Sequence, residues 1–134
     1  MLAFLDLPYP PSVNAYWLQS GRRKYISKRG VAFKQAVAEY VIMNKTPKLG
    51  AIRLQMDIIL RPRSKKLMDI DNCAKAILDS LQDAGVFDDD SQVWKLTIER
   101  GIQKSGGGCV VMIMEYPDNP TDKDLYGNQE EKTT

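Results

Sequence analysis

IRLQMDIIL at residues 52–60 and DIDNCAKAILDSLQDAG at residues 69–85, joined by a basic connection, are the stretches that set the architecture. In the first, Ile52, Leu54, Met56, Ile58 and Leu60 alternate with Arg53, Gln55, Asp57 and Ile59. A period of two places one face of a strand against a core. In the second the period lengthens, and Ile70, Cys73, Ala74, Ile77, Leu78, Leu81 and Ala84 share one helical face. Gly85 is the expected stop of that helix.

Outward from this strand and helix the chain stays mixed. Residues 2–7 read as a short strand stopped by Pro8-Tyr9-Pro10-Pro11, because proline cannot donate to a ladder and restrains its predecessor. Residues 16–18 and 24–26 flank Ser20-Gly21 and suggest a basic, aromatic hairpin. Ser27 is placed to cap a helix through about residue 43, with Phe33, Val37, Tyr40 and Val41 on one face. Trp94, Leu96 and Ile98 alternate again. The apolar run 109–114 follows a Gly-rich turn, so these two strands are expected to end the domain as a meander. The predicted class is α+β: an antiparallel or mixed sheet of four or more strands with two helices packed on one face.

A chain of 134 residues supports one domain with its own core. Residues 117–134 carry five acids and two lysines and almost no apolar content, which predicts a flexible acidic tail after a domain at 1–116. With that tail at −3, the domain carries +5. Cys73 and Cys109 form no CxxC pair and fall in apolar segments, so buried reduced thiols are expected. The apolar runs are short and broken by charge, and the N-terminus lacks the order of a signal peptide. A soluble intracellular protein is expected.

The chain has no histidine, which excludes a His-based metal site, a His general base and a Ser-His-Asp triad. Chemistry falls to carboxylates and lysines. Asp69 and Asp71 precede Lys75, and Asp88-Asp89-Asp90 follows the helix. Oxygen ligands in this pattern suit a hard divalent cation held against phosphate. Spacing alone leaves a second reading open, in which Asp69 caps the helix, Asp71 pairs with Lys75 at i+4, and residues 88–90 form a polar turn.

Basic segments surround the acids. Arg61, Arg63, Lys65 and Lys66 come just before them, and Arg22, Arg23, Lys24, Lys28 and Arg29 interleave with Tyr16, Trp17 and Tyr25. Cations beside carboxylates suit a polyanion that approaches a metal. An EF-hand opening at Asp69 would need Gly and Glu where Ala74 and Ser80 stand, and a P-loop is missing.

Asp69-Ile70-Asp71-Asn72-Cys73-Ala74-Lys75-Ala76, then Leu78-Asp79-Ser80-Leu81, Ala84-Gly85-Val86-Phe87 and Asp89-Asp90-Ser91-Gln92-Val93, resemble the core of the RusA family of Holliday-junction resolvases. Leu7-Pro8-Tyr9-Pro10-Pro11-Ser12-Val13-Asn14-Ala15-Tyr16 resembles that family's opening segment. The resemblance implies a homodimeric endonuclease of the bacterial or phage-infected cytoplasm, dependent on Mg²⁺ or Mn²⁺, that nicks four-way DNA junctions symmetrically during recombination and repair. Asp69, Asp71 and Asp90 then match the three essential acids and metal ligands, and Lys75 the essential lysine. Asn14, Tyr16, Arg22, Arg23, Lys24, Lys28, Arg61, Arg63, Lys65, Lys66 and Asn72 are the expected DNA contacts. The rivals are a non-catalytic junction-binding protein and a nuclease for other branched or single-stranded DNA.

Overall fold

The computed structural model describes residues 1–66 and 69–117; the acidic tail expected at 117–134 lies outside them except for Pro117. In chain order the elements are β1 (Ala3–Leu7), α1 (Val13–Tyr16), β2 (Trp17–Ser20), β3 (Arg23–Ile26), α2 (Lys28–Met43), β4 (Leu54–Arg61), α3 (Ala74–Asp83), a 3-10 turn (Asp90–Gln92), β5 (Val93–Arg100) and β6 (Gly108–Glu115). Strands β1, β6, β4 and β5 form one mixed sheet in that order, and β2 and β3 form the expected hairpin. The class is α+β as expected, with a short third helix, α1, added to the two long ones.

Sheet register follows the alternation. Leu5 pairs with Val111, Val111 with Ile58, and Ile58 with Ile98, giving one apolar row across all four strands. Leu5, Ile58 and Val111 are essentially inaccessible. Phe33, Val37 and Val41 of α2 and Ala76, Ile77 and Leu81 of α3 join them in one core. Each large aliphatic side chain buried this way contributes about 1.5–3 kcal/mol. Ser27 caps α2 as expected, its hydroxyl accepting from the Gly30 N–H at 3.0 Å.

The meander expected at the end of the domain is corrected by the strand order, for β4 lies between β5 and β6. The connection after β5 crosses the end of β4, where Gly101 N–H donates to the Leu60 carbonyl at 2.7 Å and Lys104 N–H to the Pro62 carbonyl at 2.9 Å. Composition explains which strand goes where. β6 is apolar along most of its length and takes an interior position, whereas β5 is largely exposed and takes the edge. A register shift between Leu54 and Gln55 leaves Trp94 unpaired on β5. Its ring stacks on Tyr116 at 6.1 Å between centroids, under the Arg53 guanidinium.

Parallel pairing of β4 and β5 requires a crossover, and α3 supplies it. Two polar devices fix this helix and the turn after it. Tyr16, fully buried, donates its hydroxyl to Asp79 Oδ2, and Lys34 Nζ reaches the same oxygen at 3.1 Å and Asp83 at 3.4 Å. These contacts tie α1 and α2 to α3. Gln92, also buried, accepts from the N–H groups of Asp88 and Asp89 at 2.8 and 2.7 Å. Its amide nitrogen donates to the carbonyls of Gly50 and Ile52 at 2.7 and 2.8 Å. One side chain thereby pins the acidic turn to the segment entering β4.

Burial would raise the Asp79 carboxyl, but the hydrogen bonds from Tyr16 and Lys34 more than offset it and hold the carboxyl below its ordinary value. A depressed folded-state value means that the carboxylate's contribution is complete above the unfolded-state pKa and is lost as pH falls through the folded one. Tyr16→Phe is expected to cost about 1.5–3 kcal/mol in urea unfolding at neutral pH, the range for a hydrogen bond to a charged group. The difference from wild type should shrink as Asp79 protonates in acid. An undiminished difference at low pH would show that the phenol acts only through packing.

Candidate active site

The site is built where the chain leaves β4. Pro62 lacks the N–H that would continue the ladder, and the chain turns into the basic connection. Arg61 is held back, its Nε donating to the Ile102 carbonyl at 3.2 Å. Arg63, Lys65 and Lys66 are exposed.

Residues 69–72 form a turn ahead of α3, which corrects the expectation that the helix opens at Asp69. The Cys73 thiol donates to the Ile70 carbonyl at 3.2 Å, and Val13 N–H donates to the Asn72 carbonyl at 2.6 Å. Cys73 stands at the helix cap and makes no side-chain capping bond, so Asp69 is not the cap either. The bond from Val13 has a further effect. It docks the Pro-rich opening segment and α1, itself capped by Ser12, against the acidic turn.

Asp69 and Asp71 are exposed, and Lys75 stands in the first turn of α3. The Asp71 to Lys75 pair of the second reading gives way to another contact. Lys75 Nζ lies 3.5 Å from Asp90 Oδ2, with both side chains partly exposed. Asp90 lies along α3, its N–H donating to Gln82 Oε1 at 2.9 Å. Asp89 is committed elsewhere, since its carboxylate accepts from the Ser91 N–H at 2.8 Å. That backbone hydrogen bond, with one from the Ser91 side chain, holds the Asp89 carboxyl below its ordinary value. Asp90 is therefore the acid of this turn that faces Lys75. Among the described residues no three carboxylate or thiol groups are grouped closely enough to hold a metal ion.

Beside Asp69 opens a cavity of about 330 Å³. Arg29, Arg63 and Lys66 line it together with Tyr9, Asn72 and Asp69. Of the expected DNA contacts, Arg63, Lys66 and Asn72 meet here, whereas Asn14, Arg22, Arg23, Lys24 and Lys28 are exposed on α1, the hairpin and the start of α2. Tyr16 is corrected from a DNA contact to a packing residue, because it is fully buried and hydrogen-bonded to Asp79. Tyr9 was missing from the expected contacts. Its only sequence signal is its place in the Pro-rich opening.

The two thiols are buried and free, as expected. Burial pushes Cys73 up to about 11 and Cys109 up to about 12, so neither is a nucleophile near neutral pH.

Residues 8–114 match the family described as Endodeoxyribonuclease RusA. The crossover junction endodeoxyribonuclease of Enterobacteria phage HK97 is 35% identical over 109 residues, which cover 81% of this chain and 91% of the phage protein. The proteins of the same name from Escherichia coli strain K12 and from Enterobacteria phage 82 are each 31% identical over 112 residues, covering 83% of this chain and 92% of theirs. The matched range includes Asp69, Asp71, Lys75 and Asp90, and this chain belongs to the RusA endodeoxyribonuclease family.

Proposed function

We propose that this protein is a structure-selective endonuclease that resolves four-way DNA junctions, holding Mg²⁺ or Mn²⁺ with Asp69, Asp71 and Asp90 and acting as a homodimer. The observation that carries the reading is the family match across residues 8–114, which contains all four candidate residues. The relatives are named crossover junction endodeoxyribonucleases.

The donor chemistry suits the ion, although the three carboxylates are not grouped in the structure and would have to draw together around it. All three candidate ligands offer carboxylate oxygens, the chain supplies no imidazole, and hard divalent cations prefer oxygen. Bound there, the ion supplies charge neutralisation at the phosphate and activates water for attack. Lys75 occupies the position of a counter-ion to Asp90 and carries the fixed positive charge that meets charge developing on the phosphate. Hydrolysis adds water's hydroxyl to phosphorus and breaks one phosphorus–oxygen bond, leaving a 5′-phosphate and a 3′-hydroxyl. Exposed Arg22, Arg23, Lys24 and Lys28 engage flanking phosphates, which makes binding steeply dependent on salt.

Two opposed nicks require two sites related by a two-fold axis. The sheet face turned away from the helices supports a second copy: Phe4 is 53% exposed there, in a row with Met112. Among the described residues no helix is long and apolar enough to cross a membrane.

A labelled four-way junction and a matched duplex, each incubated with Mg²⁺ and with EDTA, test the function. Symmetric nicks on the junction alone, only with the ion, are expected; binding without nicking would identify a junction-binding protein instead. Asp71→Asn should keep junction affinity within about threefold while nicking falls by about a hundredfold to a thousandfold, the range for removing a charge-stabilising group. Lys75→Ala should lower the single-turnover rate by about a hundredfold at saturating Mg²⁺. An unchanged rate there would remove Lys75 from the chemistry.

A further inference from the structure

We infer that the cavity beside Asp69 receives one unstacked nucleotide of the DNA, its base in the recess against Tyr9 and its phosphate at Arg29, Arg63 and Lys66. This rests on the reading that the protein acts on branched DNA and adds what the site does with the strand.

The recess combines two chemistries that a duplex backbone does not need together. Arg29, Arg63 and Lys66 bring three positive charges to its lining, against the single carboxylate of Asp69. Behind them Pro10 and Cys73 are buried and form an apolar floor, and Tyr9 is a half-buried wall. A free phosphate would use the cations but leave the aromatic wall idle. An apolar metabolite would use the wall but not the cations. A nucleotide uses both, since every base has a face that stacks on an aromatic ring and every linkage carries an anion.

Size narrows the occupant further. At about 330 Å³ the cavity lies at the small end of the roughly 300–1,000 Å³ range of ligand pockets, a size suited to a single nucleotide. A base enters only by leaving its stack, and that costs least where pairing is already interrupted, as at a branch point. The recess therefore favours branched over continuous DNA.

The wall is also braced. Gly107, in the turn before β6, has φ +76°, and a Cβ there would stand 3.1 Å from Tyr9 Cβ and 3.4 Å from Arg63 Cβ. The turn thus closes against the backs of both residues and fixes a stacking surface and a cation relative to each other. Asn72 and Ser12, also in the lining, offer hydrogen-bonding groups to the edge of a base. Asp69 in the same lining puts the captured nucleotide next to the phosphate that is cut.

The test is single-turnover nicking of four-way junctions that carry one abasic site, moved in turn through the nucleotides flanking each nicked phosphate. Wild-type protein must first nick the intact junction with Mg²⁺; failure at that step refutes the nuclease reading itself. Given nicking, one flanking position should slow the reaction by about tenfold or more when its base is absent, the scale of losing a stacked base. Tyr9→Leu should slow the intact junction to a similar degree, slow that abasic junction by less than twofold further, and melt at the wild-type temperature. A flat abasic profile with wild-type protein overturns the proposal, whether or not Tyr9→Leu folds. Equal slowing of intact and abasic junctions by Tyr9→Leu overturns it as well, for the tyrosine would then serve only the fold.

Discussion

The structure depends on β4 being hydrogen-bonded on both flanks, antiparallel to β6 and parallel to β5. Parallel pairing is the demanding half. It forces the chain to leave the end of β4, return along the sheet as α3, and enter β5 beside the start of β4. The basic connection, the acidic turn at 69–72 and Lys75 all belong to the outgoing part of this crossover, and Asp90 to its end. Lys75 and Asp90, fifteen apart in sequence, come together because one strand must be re-entered in the same direction. The Lys75 to Asp90 contact is the direct product of that return.

Apolar packing holds the layers, but polar side chains decide where the functional groups point. Gln92 spends its whole amide on four backbone groups and so locks the turn that carries Asp90. Asp79, one turn beyond Lys75, is bound by Tyr16 and Lys34 and fixes the rotation of α3. Val13 ties the opening segment to Asn72. Each is a buried or half-buried polar contact whose loss leaves an unsatisfied partner, so each is worth more to geometry than to net stability.

Much of this was legible in the sequence. The period-two alternation at 54–60 and the Ser27 cap before a 3.6-period face translate directly into β4 and α2. What stayed hidden depends on partners far along the chain. The start of α3 was misjudged because Ile70 keeps helical register with Cys73 and Ile77 while its own backbone is in a turn. Asp71 offered Lys75 a local partner at i−4, and only the fold supplies Asp90. Adjacency of β5 and β6 was inferred from a short Gly-rich link, yet strand order is set by which apolar run suits the interior. The wall formed by Tyr9 is invisible in one dimension, since the residue that braces it, Gly107, is almost a hundred positions away.

The central claim is that Asp69, Asp71 and Asp90 share one divalent ion next to Lys75. Manganese anomalous diffraction from crystals soaked in MnCl₂ addresses it directly. The account predicts anomalous density bonded to oxygens of all three carboxylates, with Lys75 remaining beside it. Density bonded to residues elsewhere, or none near Asp90 while Asp69 and Asp71 are occupied, would contradict it.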